Sequence, residues 1–272
     1  MKDLQQQSGL PISLDETGHL QIDSNLRGGE MSMRKLYDLK EVAQDEITDA
    51  DRELYYMYRD VHKEEDEQEI RSNNLRYDMT VILPGMIGNE FAKTLGHYHP
   101  MKDGQTISYP EVYEVVSGRA FYLLQKPRKA DGGYDFSNIE EAYLVEVKAG
   151  QKAIMPPDFG HITINIDQEP LVMANWVSSS FQSDYSEIKS HKGGCVFITK
   201  SEDGYQVEKN PEYASCPEVK TLTPKELAEF ALIFSHPMYQ TGMEEVSKLE
   251  YLDKPENHIE NLSADKVFDD GV

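Results

Sequence analysis

The sequence predicts an all-β protein, a sandwich or barrel with additions at both ends, and three observations lead there. Between about residues 77 and 210, short runs rich in Val, Ile, Tyr and Phe alternate with Gly, Pro, Asn and Asp, the punctuation of many short strands. No repeat with a period of about 20–50 residues overlies that pattern, so a solenoid or propeller is set aside. And 272 residues, 39% of them hydrophobic, can bury a substantial core without disulfides to staple it. The two cysteines, Cys195 and Cys216, are too few for a disulfide framework and form no CxxC pair, so both read as plain thiols.

Taken in order, residues 1–76 form an N-terminal segment packed on the barrel. Within it "MRKLYDLKEVAQDEITDADRELYYMYRDV" mixes helical and extended signals, and "HKEEDEQE" reads as a solvated loop or exposed edge. Residues 77–213 hold the barrel. Its strands are expected in "RYDMTVIL", "EFAKTLGHYH", "EVYEVVSGRAFYLLQ", "EAYLVEVKAGQKAIMP", "HITINID", "PLVMANWVS" and "CVFITK". A hairpin is expected at Ser117-Gly118, where a small residue and a glycine separate two β-prone runs, and a second such turn at Gly150. Residues 214–272 form a helical extension. In "TPKELAEFALIF", Thr223 reads as N-cap, Pro224 as first helical residue and Glu226 as the partner in a capping box, with Leu227, Phe230, Ala231 and Phe234 on one face. The tail beyond it is expected to drape over the barrel or to be partly disordered.

Lys and Arg number 27 against 49 Asp and Glu, a formal net charge of −22. Such a chain repels a phosphate backbone, which excludes nucleic acid as the main partner. No run of about 18 apolar residues is present, and "MKDLQQQSGLPIS" lacks the apolar stretch of a signal peptide. A soluble, cytoplasmic protein with no membrane partner is expected.

The chemistry gathers around "KTLGHYHPM". Residues i and i+2 of a strand share a face, so His97 and His99 converge while Tyr98 looks away. Two imidazoles so placed suit a metal. Twelve residues after His99 stands Glu111, with Tyr113 on the same side and Gly118 seven positions on. Later, "GQKAIMPPDFGHITIN" sets His161 five residues after Pro156 and four before Asn165.

This combined spacing resembles the cupin superfamily: an HxH pair, a Glu, a Gly seven residues later, then a second set of Gly, Pro, His and Asn. The resemblance implies a double-stranded β-helix, or jelly-roll barrel, and assigns His97, His99, Glu111 and His161 as ligands of one divalent transition metal ion per chain. Fe²⁺ stands first, and Mn²⁺, Ni²⁺ and Zn²⁺ also suit three imidazoles and a carboxylate. The chain departs from the pattern at Asp158 and Phe91, where the superfamily favours glycine; neither is a ligand position.

A narrower likeness follows. "TVILPGMIGNEFAKTLGHYH", "EVYEVVSGRAFYLLQ", "MPPDFGHITINID" and "NPEY" at Asn210 to Tyr213 resemble the cupin-type, or archaeal-type, glucose-6-phosphate isomerases. That resemblance implies interconversion of glucose 6-phosphate and fructose 6-phosphate, a step of glycolysis and gluconeogenesis, with a sugar phosphate as the small-molecule partner. It sets Tyr55, Thr80, Thr94 and the backbone of Gly96 on the phosphate side, makes Glu111 the proton carrier and lets Tyr113 orient sugar hydroxyls. Lys93, as neighbour of Thr94 on a strand, should face away. Two positions differ from the archaeal enzymes: Val177 stands for a tyrosine and Ser183 for a histidine, while Asp184 and Tyr185 keep the register. The alternatives are therefore a cupin isomerase or epimerase for another sugar or sugar phosphate, and a non-catalytic sugar-binding cupin. The loop "PMKDGQTISYP" and the last sixty or so residues are additions expected to line or cap the site. A homodimer paired through outer strands, which hides sheet edges, completes the expectation.

Overall fold

Runs of β-branched and aromatic residues build two facing sheets, described for residues 1–202 and 204–271 by a computed structural model. The strands that frame the site are, in chain order, β1 (Glu30–Lys35), β2 (Glu53–Arg59), β3 (Leu75–Ile82), β4 (Glu90–Lys93), β5 (Glu111–Ser117), β6 (Arg119–Ala130) and β7 (Gly133–Lys148). They continue with β8 (Lys152–Met155), β9 (Gly160–Asn165), β10 (Leu171–Ser178), β11 (Val196–Ser201), β12 (Gly204–Lys209), β13 (Lys220–Pro224) and β14 (Phe268–Asp270). A six-stranded sheet has the order β8-β5-β10-β3-β2-β1, and a nine-stranded one runs β12-β11-β4-β9-β6-β7-β13-β14 along its main path. From β3 to β11 the chain changes sheet at every connection except β6 to β7, the jelly-roll manner of closing a β protein over one core. Across the gap the rings of Tyr113 and Tyr122 lie 5.3 Å apart, and the Tyr122 hydroxyl meets the Met173 sulfur at 3.5 Å.

Two expected hairpins are instead crossings between sheets. β5 pairs with β8 and β10, whereas β6 pairs with β7 and β9, so Ser117-Gly118 carries the chain from one sheet to the other. Gly150 does the same between β7 and β8. A turn-forming dipeptide bends the backbone but says nothing about which strand will be the partner. A bulge between Val115 and Ser117 and a left-handed Gly118 (φ 92°) make the first crossing possible. The hairpin of this region is β6–β7, turned at Asp131-Gly132, with Ala130 opposite Gly133, an Asp-Gly loop of the kind that favours strand reversal.

The acidic run is solvated as expected but helical: a 3₁₀ turn at Glu64–Asp66 leads into a helix at Glu67–Ser72. Acidic side chains in a first turn complement the unpaired N–H groups there. The helix expected over "TPKELAEFALIF" does not form. Lys220–Pro224 is β13, parallel to Tyr143–Val145 of β7 and antiparallel to β14, and only Ala228–Phe230 makes a single 3₁₀ turn. Ladder pairing along β7 outweighs a local capping box, a tertiary override of propensity. Left-handed Ala231 (φ 59°) then redirects the chain, so Leu227, Phe230 and Ala231 are buried without a helix. Helix appears farther on, at Met238–Glu244 and Ala264–Val267, with 3₁₀ turns between.

This extension covers the outer face of the six-stranded sheet. Tyr77 of β3 and Trp176 of β10 point outward and are fully buried against Met238 and Tyr239. The rings of Tyr77 and Trp176 lie 4.7 Å apart, Tyr239 lies 5.1 Å from Tyr77, and the Trp176 indole N–H donates to the Met238 carbonyl at 3.3 Å. Aromatic burial on this scale anchors the tail. The same strands thus turn an apolar face out and a polar face in. Cys195 and Cys216 are both free thiols, as expected, but their sulfurs lie 2.7 Å apart, a neighbourhood their spacing did not announce. Among the described residues no helix is long and apolar enough to cross a membrane.

Candidate active site

Strand register lays out the inner face of the six-stranded sheet row by row. Val177 stands opposite both Glu111 and Arg76; Asn175 stands opposite Tyr113 and Asp78; Thr80 faces Met173 on one side and Met57 on the other. Since side chains alternate along a strand, these residues all look into the gap between the sheets. The second sheet contributes His161 and Thr163 from β9. The segment Thr94–His99 leaves β4 and runs irregularly, although the sequence reads it as strand; only His97 and Tyr98 make isolated bridges, to His161 and Asp184. His97 and His99 still converge, and Tyr98 is turned away, where its hydroxyl accepts from Gln125 at 2.7 Å.

His97, His99, Glu111 and His161 bring one donor atom each to within 4.8 Å of one another. Glu111 Oε1 accepts from the Asn175 amide at 2.6 Å, which turns Oε2 toward the imidazoles: 3.2 Å from His161 Nε2, 3.4 Å from His99 Nε2 and 3.9 Å from His97 Nε2. His99 Nδ1 sits 2.9 Å from the Tyr109 carbonyl, a contact that commits that nitrogen to carry the proton and leaves Nε2 with its lone pair. Two Nε2 atoms, of His97 and His99, face each other at 3.2 Å.

Electrostatics sharpen the picture. Burial, aided by repulsion from the neighbouring imidazoles, drives His97 well below the usual histidine range, and burial lowers His161 too. Burial also works to raise Glu111, but the His161 and His99 rings crowded against its Oε2 prevail and hold it well below the ordinary carboxylate range. Neutral imidazoles and an ionised carboxylate are the forms that ligate a cation. Glu111 Oε2 and both ring nitrogens of His161 have no hydrogen-bond partner among the described residues although they are buried. Orphaned polar atoms of this kind are costly in a folded protein. The donor set therefore fits a divalent transition ion.

Beside it opens a cavity of about 340 Å³ lined by Tyr55, Thr80, Thr94, Gly96 and Tyr113 as well as His97, Glu111 and His161. Every substrate-side residue named from the sequence thus meets at one place. Thr94 Oγ1 accepts from the Thr163 N–H at 3.0 Å. Gly96 is left-handed (φ 81°), and a Cβ there would come within 2.4 Å of Ile162, so only glycine fits; its own N–H finds no acceptor among the described residues. The Tyr55 hydroxyl accepts from the Leu95 N–H at 3.4 Å. Lys93 does turn away, donating to Glu90 and, at 2.9 Å, to the Val42 carbonyl. Val177 and Ser183 line the same cavity.

Sequence reasoning missed Arg59, Arg76, Asn175 and Thr163, which also line it. Counting by twos from Tyr55 and from Thr80 reaches the two arginines, the same rule that joined His97 to His99. Among the described residues, neither the loop after His99 nor the C-terminal extension lines the cavity. The extension reaches its rim instead through Asp253, whose Oδ1 accepts from Ser178 at 2.6 Å and Ser180 at 2.9 Å, whose Oδ2 accepts from Asn74 at 3.0 Å, and whose carbonyl accepts from Lys102 at 2.7 Å.

A jelly roll with three imidazoles and one carboxylate gathered at the mouth between its sheets defines a cupin with a candidate metal centre. The profile described as "Glucose-6-phosphate isomerase (GPI)" matches residues 33–215, and the chain belongs to that family of isomerase enzymes. It is 28% identical over 194 residues to the glucose-6-phosphate isomerase of Thermococcus litoralis, covering 69% of this chain and 90% of the relative. With the enzyme of the same name from Thermococcus kodakarensis it shares 29% over 211 residues, covering 75% and 96%. Among solved structures, an oxalate decarboxylase from Bacillus subtilis overlays 48% of this chain and 27% of its own at 20% identity, with a TM-score of 0.32.

Proposed function

We propose that this enzyme interconverts glucose 6-phosphate and fructose 6-phosphate with one divalent ion per chain, Fe²⁺ first, then Mn²⁺, Ni²⁺ or Zn²⁺. The reading places it in the cytoplasm as a homodimer, at the step glycolysis and gluconeogenesis share. One observation carries it: in a chain of this family, the unpaired Oε2 of Glu111 and three imidazoles converge beside a cavity walled by Thr80, Thr94 and Gly96.

His97, His99, Glu111 and His161 would hold the ion, which would supply Lewis acidity to the reacting end of the sugar. The remaining work falls to side chains. Thr80, Thr94, Tyr55 and the Gly96 N–H receive the phosphate and fix the reach of C1 and C2 into the site. Tyr113, whose phenol burial pushes far above its ordinary range, stays protonated and donates to sugar hydroxyls. Glu111 takes the proton from C2 of the open-chain aldose as the C1–C2 double bond forms and O1 gains a proton; loss of the O2 proton and delivery to C1 of a proton from Glu111, exchanged with solvent in the interval, complete the ketose. Asn175, bound to Oε1, keeps the carboxylate aimed.

A coupled assay from fructose 6-phosphate, with and without chelator, tests the reading. Turnover that chelator abolishes and added divalent ion restores is expected; no turnover by metal-loaded protein overturns it. In deuterated water the product should carry solvent deuterium at the carbon that gains hydrogen, whereas full retention of the substrate hydrogen assigns a hydride shift and removes Glu111 as carrier. Val177 and Ser183 in the cavity wall favour, as second reading, an isomerase or epimerase of another phosphorylated sugar.

A further inference from the structure

A chain with a net charge of −22 must hold its anionic substrate by local charge, and the hydroxyls on the cavity wall carry none. Two guanidinium groups do. Arg59 of β2 and Arg76 of β3 flank Asp78, whose carboxylate is almost wholly buried: Arg59 donates to Oδ2 at 2.6 Å, and Arg76 Nε meets Oδ1 at 2.9 Å and Oδ2 at 3.0 Å. Asp78 Oδ1 also accepts from the Asp60 N–H at 2.9 Å. Two positive charges against one negative leave a surplus of one, facing the cavity.

The geometry separates this trio from an ordinary structural ion pair. Each guanidinium has five N–H groups. Among the described residues Arg59 meets only Asp78 and the Met57 sulfur, and Arg76 meets only Asp78. Several donors on each fork thus remain unpaired, and both side chains stay part-exposed, 41% and 32%, at the cavity. Arg59 also leans toward the phosphate wall: its Nη2 lies 3.3 Å from Met57 Sδ, and Met57 is the cross-strand partner of Thr80. Arg76 is the cross-strand partner of Val177, the position where a small apolar residue leaves room.

We infer that Arg59 and Arg76 form the charged half of the phosphate subsite, with Asp78 as the positioning residue that holds both forks in place. Forked, charge-assisted donors select a phosphate dianion over an uncharged sugar hydroxyl. The inference rests on the isomerase reading for the identity of the sugar, and not for that of the anion.

The test measures inorganic phosphate binding to the protein as purified, by calorimetry, beside the KM for fructose 6-phosphate. Arg59→Gln and Arg76→Gln should each weaken phosphate roughly ten- to a hundredfold, the usual loss of a charge-assisted contact, and raise KM in parallel, with a shallower dependence of both on salt. Arg59→Lys and Arg76→Lys, which keep the charge beside Asp78 but lose the fork, should fall between; they carry the test if the glutamine variants do not fold. Phosphate affinity within twofold of the parent in folded variants, or no phosphate binding by the parent, overturns the inference. If the parent turns over fructose 6-phosphate and the variants keep its KM, the inference fails and the isomerase reading stands. If phosphate binding needs the arginines but no turnover occurs, the reading fails and the subsite stands.

Discussion

Glu111 and Glu114 sit three residues apart on one strand, and both are buried carboxylates, yet their surroundings differ in kind. Glu114 looks outward, beneath the C-terminal extension, and both of its oxygens are paired. Lys152 lies 2.9 Å away and also donates to the carbonyls of Gly150, Ile233 and His236, while Glu114 Oε2 accepts from the Met238 N–H. Glu111 looks inward, toward three ring nitrogens that compete for the same space, and its Oε2 has no partner. One acid is finished by the protein. The other is left with one oxygen unpartnered among the described residues, and that incompleteness marks a functional site rather than a fastening.

The comparison breaks most directly at Glu111. Glu111→Gln should lower bound metal and turnover by at least about a hundredfold while leaving the melting temperature at or above that of the parent. Metal analysis beside kinetics decides; a variant that keeps both metal and turnover makes the inner acid as structural as the outer one. Next in size, Lys152→Met strands the outer carboxylate and should cost about 3–5 kcal/mol in urea unfolding with metal content intact. Adding Glu114→Leu should recover most of that loss, and failure to recover would show that the pair does more than neutralise itself.

The smallest effect concerns pH. Burial, against the opposing pull of Lys152, pushes Glu114 up to about 7, above an unfolded carboxyl near 4.3. Between those values the folded chain keeps a proton that the unfolded chain has lost, so stability falls as pH rises through this window and levels off beyond it. The slope is at most about 1.4 kcal/mol per pH unit for one group. Unfolding curves recorded in chelator should show the decline, and Glu114→Gln should flatten it.

The cluster of three imidazoles and a carboxylate was legible through a two-residue period for His97 and His99 and, for Glu111 and His161, through the cupin likeness of the combined spacing. Thr80, Thr94 and Gly96 were legible through the family likeness and converge as expected. Arg59 and Arg76 were not, since each follows from a period of two along a strand whose register against its neighbours appears only once the sheet is built. Partner choice defeated the turns as well. Ser117-Gly118 signals a bend, but whether the next strand returns beside the first or crosses to the other sheet depends on β8, β9 and β10, which come later in the chain. Thr223 to Phe234 carries a sound capping box, yet its first residues meet β7 and take up strand pairing. In each case a signal confined to a few residues lost to a contact made far along the sequence.

Asp253 ties Ser178, Ser180, Asn74 and Lys102 into one clasp at the cavity rim, and it lies beyond residue 215, where the family profile stops matching. The rim of the cavity is thus braced by a stretch of chain outside the segment the family shares, so this border can be altered from the tail while the four clustered side chains within stay as they are.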